Sequence, residues 1–326
     1  MKNFLSRVTF IFYFCFLTLN TFSQQTVQKI ITETNYLLYL PNSYKNDTSK
    51  RWPLLIFLHG SGESGNDINK VKTHGPPRLI EEGKQFPFIV VSPQSDVPSG
   101  WDVDQLYKLL QQVKKNYRVD QERIYLTGLS MGGYGTWELA IKHPEEFAAL
   151  APICGGGDTS GTWRIRNIPV WGFHGKLDKS VPLFRGENMV KATSRWNRNV
   201  RFTVYPNKEH NSWDTAYNTN DSLYDWLLTH KKFRYTEVPV SNAVLQKYHG
   251  TYIGQDRDTV KIITRNNELI AITPDGEVVL KPGGVDMFYL NPDKPMDIRF
   301  ISEKNGISSF IFFGDRKLLY GKVRGR

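Results

Sequence analysis

The chain has 326 residues and a formal net charge of +10, and its length exceeds that of one ordinary domain. Its lysines and arginines are spread along the chain, and the richest cluster, residues 195–201, is more typical of a solvated helix end than of a nucleic-acid surface. We therefore expect no nucleic-acid partner, and the sequence contains no long-period repeat or low-complexity stretch.

The first 23 residues are typical of a secretory signal. Lys2 and Arg7 precede a mostly apolar run over residues 8–19, which is too short to span a membrane. We expect residues 1–23 to be removed, leaving a secreted or periplasmic protein without a stable membrane span; an uncleaved anchor is the alternative. Cleavage removes two positive charges, so +10 becomes +8, and it leaves Cys154 as the single cysteine, which excludes an internal disulfide.

A buried strand is predicted over residues 54–58, and a loop rich in small residues, 59–65, follows it. Such a loop lets the backbone approach a substrate closely. An oxyanion hole needs two backbone N–H groups, and we assign one of them to Ser61, with Gly62 as the alternative. A phosphate cradle is the competing interpretation, but neither Gly-x-Gly-x-x-Gly nor Gly-Lys-Ser/Thr occurs in this loop.

Residues 128–132, Gly-Leu-Ser-Met-Gly, lie between a strand predicted over 123–127 and a helix predicted over 131–142. A G-x-S-x-G pattern in that setting is a nucleophile elbow, a tight turn that pushes the serine hydroxyl out over the edge of the sheet. We predict that Ser130 is the nucleophile and that the Met131 N–H is the other oxyanion donor.

A serine nucleophile needs a base, and the base needs an orienting acid; in this architecture the acid precedes the histidine in the chain. The strand predicted over 168–174 runs into a loop that places Asp178 four residues past it. Asp158 lies one strand too early, and Asp214 follows His210 against the expected order. We therefore predict Asp178 as the acid.

The base is predicted to be His210, in the loop that follows a strand predicted over 201–205. His230 lies in the last turn of a helix, where the helix dipole favours a cation, and His174 is more typical of a structural loop histidine. Of the other downstream histidines, His143 lies at a helix end and His249 lies in a separate domain.

These motifs, in this order, resemble the α/β-hydrolase superfamily over about residues 27–232. They are His59-Gly60, Gly-Leu-Ser-Met-Gly, His-Gly-x-x-Asp and Glu-His-Asn-Ser-Trp, supported by residues 93–102 and by Tyr134-Gly135-Thr136-Trp137 with His143-Pro144. Within the superfamily the chain is similar to secreted esterases related to feruloyl and acetylxylan esterases and polyhydroxybutyrate depolymerases, a group also called predicted peptidases. The resemblance implies an α/β fold with a mostly parallel sheet and helices on both faces. Relatives often carry glycine in place of Glu209, a departure that affects the shape of the pocket.

Lids in this fold are usually inserted after the strand that corresponds to residues 147–151. Only residues 152–167 separate it from the next strand, and sixteen residues cannot build a helical lid. We therefore expect an open active site without a lid, which argues against a true lipase. Cys154 in this segment is more typical of a packed small residue than of a nucleophile, because no histidine pattern accompanies it.

Alternating strands and helices predict an α/β-hydrolase catalytic domain over residues 24–235, followed by a linker and a small β domain over 243–326. Helices are predicted over 104–116, 131–142, 183–196 and 221–230. In the second domain, short strands are separated by five predicted turns, which is typical of a small antiparallel barrel or sandwich. The turns are Asn266-Asn267, Asp275-Gly276, Pro282-Gly283-Gly284, Asn305-Gly306 and Gly314-Asp315.

This second domain resembles the small lipocalin-like β module that follows some bacterial serine hydrolases, on Tyr248-His249-Gly250-Thr251-Tyr252, Leu280-Lys281-Pro282 and Phe288. Exposed aromatic residues in such a module could bind carbohydrate, although filling of the interior is the favoured interpretation. The residues concerned are Tyr252, Phe288, Tyr289 and Phe310.

The sequence predicts a secreted serine esterase that hydrolyses acetyl or feruloyl esters on plant-type polysaccharide or glycosides through an acyl-enzyme, with no cofactor and no metal. Substrate-binding candidates near the predicted site are Gly62, Trp101, Tyr134, Trp163 and Trp213. A serine peptidase of the prolyl-oligopeptidase type is one alternative, although only about thirty residues precede the first strands, where those enzymes carry a propeller. A non-catalytic carbohydrate-binding protein on a hydrolase scaffold is the other. The oligomeric state is left open.

Overall fold

The computed structural model describes residues 34–218, 222–304 and 306–323. The predicted signal, residues 1–23, lies outside the described residues. The first seven strands form one sheet in the order β1-β3-β2-β4-β5-β6-β7, with β1 antiparallel to β3 and every other neighbouring pair parallel. These strands are β1 (Tyr36–Tyr39), β2 (Trp52–Leu58), β3 (Ile89–Pro93), β4 (Val119–Leu129), β5 (Ala149–Ile153), β6 (Val170–Gly175) and β7 (Val200–Tyr205).

The α-helices cover both faces of this sheet. They are α1 (Gly75–Glu81), α2 (Val103–Asn116), α3 (Met131–Lys142), α4 (Phe184–Ser194), α5 (Trp213–Asn218) and α6 (Ser222–Leu228), and a short α7 (Asn242–Leu245) follows the sheet. In β2, Leu54 and Ile56 join a core that includes residues of α2, α3 and α4, while Leu55 and Phe57 join a second core with residues of α1, α5 and α6. This alternation is the two-residue period of a strand buried on both faces. It confirms the predicted α/β fold with a mostly parallel sheet.

Several predicted boundaries shift by one or two residues. The strand predicted over 147–151 is β5, which begins at Ala149 and continues through Pro152 to Ile153. Proline lacks the N–H of a sheet ladder and usually marks a strand end, so the sequence pattern places this strand too early. None of the helices within the described ranges is long and apolar enough to cross a bilayer.

The segment between β5 and β6 contains a 3-10 helix, Thr159–Ile165, in which Thr162, Trp163 and Ile165 are buried. Within the described residues this segment contains no α-helix. The absence of a lid stays a prediction.

The last eight strands form a closed antiparallel barrel, which confirms the predicted small β module and selects the barrel over the sandwich. They are β8 (Gly250–Gly254), β9 (Thr259–Arg265), β10 (Glu268–Thr273), β11 (Gly276–Gly284), β12 (Met287–Tyr289), β13 (Asp297–Glu303), β14 (Gly306–Phe313) and β15 (Lys317–Lys322). The turn predicted at residues 282–284 is wrong, because these residues belong to β11 and hold a bulge. The chain turns after them, where Asp286 has a positive φ of 54°.

Aromatic side chains fill the barrel. Tyr252, Phe288 and Phe310 are each at most 1% exposed and contact one another or Phe300. Tyr289 is also buried, and its ring stacks on Tyr235 with centroids 5.0 Å apart. The alternative that these four residues form an exposed carbohydrate surface is therefore wrong.

A buried ion pair joins the barrel to the segment before β6. The Nε of Arg166 donates to Oδ1 of Asp297 over 2.9 Å, and the two side chains are 1% and 0% exposed. The Tyr235 hydroxyl donates to the same carboxylate, and Trp163 packs on Phe313 of β14 with ring centroids 5.9 Å apart. We propose that residues 24–235 and 243–326 are two domains held together by these contacts.

Replacing Asp297 by alanine leaves the guanidinium of Arg166 buried without its partner. We expect the free energy of unfolding, measured by urea denaturation, to fall by about 3–5 kcal/mol, the usual cost of breaking a buried ion pair on one side. Glu277→Gln is the matched control, because Glu277 pairs with Arg265 at the surface, where both side chains are about half exposed. This control should leave the urea midpoint unchanged, and an equal midpoint for both variants would contradict the expectation.

Candidate active site

The elbow between β4 and α3 holds Ser130 in a strained backbone conformation, with φ of 51° and ψ of −116°. A Cβ at Gly128 would lie 2.3 Å from the carbonyl oxygen of Gly132, and one at Gly132 would lie 2.0 Å from the carbonyl oxygen of Leu58. Neither position therefore accepts a side chain, which is the reason for two glycines in the pattern. Because the turn is this tight, the serine side chain remains partly exposed.

The three residues predicted as nucleophile, base and acid form one hydrogen-bonded chain. The Nε2 of His210 lies 2.9 Å from Oγ of Ser130, and its Nδ1 lies 2.8 Å from Oδ2 of Asp178. The other oxygen of Asp178 accepts the backbone N–H groups of Ser180 and Val181, each over 2.9 Å. The Asp178 side chain is fully buried, whereas that of His210 is 25% exposed. A substrate from solvent can therefore reach the serine and the histidine, while the acid is shielded.

The sheet explains why these residues meet. Ser130, Asp178 and His210 follow β4, β6 and β7, and the carboxyl ends of parallel strands lie along one edge of a sheet. The loop after β6 is bonded to the loop after β7, because the Leu177 N–H donates to the carbonyl oxygen of Lys208 over 2.9 Å. The Glu209 side chain is exposed, so it does not fill the space between the loops.

The predicted oxyanion donors lie on both sides of the nucleophile. Ser61 and Gly62 are exposed and begin the 3-10 turn Ser61–Glu63 after β2, and Met131 begins α3. A Cβ on Gly60 would lie 3.6 Å from the Cβ of Ser130, so this loop runs directly beside the serine. Within the described residues, the N–H groups of Ser61, Gly62 and Met131 donate to no protein acceptor. They are available to a substrate oxygen.

Of the aromatic candidates, two are half-buried beside the elbow. The ring of Trp101 lies 4.7 Å from that of His59, and a Cβ at Gly135 in α3 would meet it at 2.7 Å. The ring of Tyr134 is close to Gly156, where a Cβ would lie 3.1 Å from it. Both side chains remain candidates for substrate contact.

The other two aromatic candidates are packed inside the protein. Trp163 is 9% exposed and faces Phe313 of the barrel, so the structure does not bring it to the triad of Ser130, His210 and Asp178. Trp213 is also 9% exposed, and its ring packs edge-on against His210 with centroids 5.1 Å apart. Trp213 therefore packs against the ring of the predicted base, and it offers little surface to a substrate.

The competing acids have other partners. Asp158 is exposed and caps the 3-10 helix after β5 by accepting the Ser160 N–H over 2.8 Å. Asp214 forms an ion pair of 3.1 Å with Arg78. Neither carboxylate contacts His210 in the described structure.

The competing histidines also have structural contacts. His174 is buried at the end of β6, and its Nε2 lies 2.8 Å from the carbonyl oxygen of Val181 and 3.4 Å from Oδ2 of Asp178. Burial, followed by the nearby charge of Arg201, lowers the pKa of His230, so the cation that the helix dipole favours is not stabilised there. Of the two remaining histidines, His143 stacks on Tyr107 and His249 is hydrogen-bonded to Thr264.

Cys154 lies beneath the triad, and its Sγ and one ligand atom each of Asp178 and His210 all fall within 4.8 Å. Burial raises the pKa of the Cys154 thiol to about 12, so the thiolate that a nucleophile or a metal ligand requires is disfavoured. Asp178 and His210 are already bonded to each other. These three residues therefore fit a packed thiol beneath a hydrogen-bonded pair better than a metal site.

Two polar residues of the 59–65 loop were not among the predicted site residues. His59 is fully buried, its Nδ1 lies 2.6 Å from the Gly60 carbonyl oxygen, and its Nε2 accepts the Ser95 N–H over 3.0 Å. Burial lowers the pKa of His59, so the ring is neutral and donates from Nδ1. Glu63 is 8% exposed and accepts the Gly60 N–H over 2.9 Å. A charged residue within a run of glycine and serine is the sequence signal for Glu63.

The model of the family described as "Putative esterase" matches residues 28–221 of this chain. The bifunctional acetylxylan esterase/xylanase XynS20E of Neocallimastix patriciarum is 30% identical over 191 residues, which cover 53% of this chain and 26% of that protein. Feruloyl esterase C of Emericella nidulans is 30% identical over 178 residues, which cover 51% of this chain and 64% of that protein.

The crystal structure of a thermostable esterase is 32% identical, with a TM-score of 0.53, and the match covers 61% of this chain and 60% of that one. This chain thus spans between 26% and 64% of the length of these relatives. The family match over residues 28–221 exceeds half of the chain and confirms the predicted enzyme class, an ester hydrolase, at the level of the family. The chain belongs to this esterase family.

Proposed function

We propose that the protein is a secreted serine esterase that removes acyl groups, acetyl or feruloyl, from plant-type polysaccharides or glycosides. The observation that carries the proposal is the hydrogen-bonded chain from Ser130 through His210 to Asp178, open to solvent at the serine. A base within hydrogen-bond reach of the nucleophile, itself oriented by a buried carboxylate, is the arrangement that acyl transfer requires.

In the proposed reaction, Oγ of Ser130 attacks the ester carbonyl carbon while Nε2 of His210 takes the hydroxyl proton. The N–H groups of Met131 and Ser61 bind the oxyanion of the tetrahedral intermediate. The intermediate collapses as His210 protonates the leaving alcohol, and the acyl group stays on Ser130. His210 then deprotonates a water that attacks this acyl-enzyme. The bond between the acyl carbon and Oγ breaks as His210 returns the proton to Ser130, and the free acid leaves. Asp178 holds the ring of His210 and stabilises its protonated form.

The proposed substrate class rests on two observations. The named relatives include an acetylxylan esterase/xylanase and a feruloyl esterase. In addition, the segment between β5 and β6 packs inwards through Trp163, which supports an open site that an acyl group on a bulky polymer can reach. The apolar, positively flanked segment over residues 1–23 supports the proposal of an extracytoplasmic enzyme.

The proposal is tested with a panel of p-nitrophenyl esters and acylated xylan. We expect acetyl and feruloyl esters to be hydrolysed with kcat/KM at least about tenfold above that for a long-chain acyl ester. An open site has no covered apolar pocket in which a long acyl chain could be buried. An aminoacyl-proline anilide is the peptidase arm of the panel and should not be cleaved. Cleavage of the anilide alone would select the peptidase alternative, and no turnover on any arm would select the non-catalytic one.

A further inference from the structure

The loop beside Ser130 contains one buried carboxylate. Glu63 ends the 3-10 turn Ser61–Glu63, is 8% exposed, and accepts the Gly60 N–H through Oε2 over 2.9 Å. The Glu63 N–H donates to the Gly60 carbonyl oxygen over 3.4 Å, so two hydrogen bonds of opposite direction join Gly60 and Glu63. Burial raises the pKa of Glu63, and a carboxylate is costly to bury unless it makes such bonds. The hydrogen bond to Gly60 therefore offsets part of the cost of burying the Glu63 carboxylate.

The bond fixes the residues that carry the predicted oxyanion donor. Gly60 lies against Leu129 and Ser130, and Ser61 and Gly62 follow it directly. Two glycines in three residues give this stretch wide backbone freedom. The Gly60 bond holds its start, and Gln94 at the end of β3 holds its end by donating from Nε2 to the Glu63 carbonyl oxygen over 2.8 Å. Without the carboxylate, one of these two anchors is lost.

The second carboxylate oxygen faces His74, which packs on Trp213 beside the base. The Oε1 of Glu63 lies 3.8 Å from Nε2 of His74, the ring of His74 lies 5.4 Å from that of Trp213, and Trp213 packs on His210. His74 is the ionisable partner of Glu63 among the described residues. Glu63 thus contacts the oxyanion loop with one oxygen and faces the support of the base with the other.

We propose that Glu63 is a positioning residue, whose carboxylate holds the Gly60–Gly62 backbone so that the loop N–H group meets the oxyanion beside Ser130. This inference rests on the proposed esterase function and adds to it a residue that touches no reacting atom. Donors placed in advance at the developing charge act in the transition state more than in substrate binding. Loss of the anchor should therefore appear in kcat and leave KM nearly unchanged.

The test compares Glu63→Met, which keeps the length of the side chain and removes the acceptor, with Glu63→Gln, which keeps an acceptor for Gly60. For p-nitrophenyl acetate we expect Glu63→Met to lower kcat about 10- to 100-fold, less than complete loss of a donor, with KM within about threefold. Glu63→Gln should retain kcat within about threefold of the wild type. Glu63→Ala takes the place of Glu63→Met if the latter is insoluble.

Glu146→Met is the control for a purely structural effect. Glu146 is 6% exposed and pairs with Lys114 over 2.7 Å, away from the triad loops. It should lower the melting temperature without changing kcat. Equal kcat in Glu63→Met and the wild type, or equal losses in Glu63→Met and Glu63→Gln, would overturn the proposal.

Hydrogen exchange of the Gly60 amide, followed by mass spectrometry without substrate, separates this inference from the esterase proposal. We expect faster exchange in Glu63→Met than in the wild type and Glu63→Gln, because the acceptor is gone. If the wild type hydrolyses no ester, the esterase proposal fails while the exchange still tests the anchor. Unchanged exchange in Glu63→Met would overturn the anchor even in an active enzyme.

Discussion

Ser130→Ala is expected to lower kcat for p-nitrophenyl acetate by about 10⁵- to 10⁶-fold and to abolish the burst of p-nitrophenol. The hydroxyl is the only group of residue 130 that reaches Nε2 of His210, at 2.9 Å. Without it no acyl-enzyme forms, and His210 can at best activate water from a poor position. The N–H groups of Ser61 and Met131 stay in place, so a residual rate above that in water should remain.

Stopped-flow measurement of the burst and labelling by a fluorophosphonate check this expectation. Ser180→Ala is the matched control, because Ser180 is an exposed serine whose backbone N–H, not its hydroxyl, bonds Asp178. This control should keep the burst and the label on residue 130. A burst that survives in Ser130→Ala would mean that another residue is the nucleophile.

The sequence was sufficient to identify the residues that the structure brings into one hydrogen-bonded chain, for two reasons. The elbow is a local feature, in which Gly128 and Gly132 reveal a close approach of backbones that no side chain tolerates. The order of the remaining residues follows from the parallel sheet, since Asp178 and His210 each come just after a strand. Topology therefore converts distance along the chain into proximity at one edge of the sheet.

What the sequence did not reveal depends on contacts between distant segments. Trp163 is covered by Phe313, 150 positions later, and Trp213 is covered by His74 and His210, so neither lines an open surface. Local pattern carries no information about such packing. Glu63 is the exception, because its bond to Gly60 is local, but the small residues around it indicate close backbone approach rather than a buried carboxylate.

Asp178→Asn is expected to lower kcat by about 10³- to 10⁴-fold while the fold stays intact. One oxygen of Asp178 accepts the N–H groups of Ser180 and Val181, and the other lies 2.8 Å from Nδ1 of His210. In the variant, the amide oxygen must stay with the two N–H groups, because an NH₂ there would face two donors. The NH₂ group then faces His210 and requires an unprotonated Nδ1.

A histidine that accepts at Nδ1 carries its proton on Nε2, where it points at Ser130 and cannot take the hydroxyl proton. The loss in Asp178→Asn should therefore affect acylation as well as deacylation, and single-turnover kinetics with p-nitrophenyl acetate will measure the acylation step. Asp158→Asn and Asp214→Asn are the matched controls, because Asp158 caps an exposed turn and Asp214 pairs with Arg78. Both should keep kcat within about twofold of the wild type. A large loss in either control together with an active Asp178→Asn would contradict the assignment of Asp178 as the orienting acid, although it is the carboxylate bonded to His210.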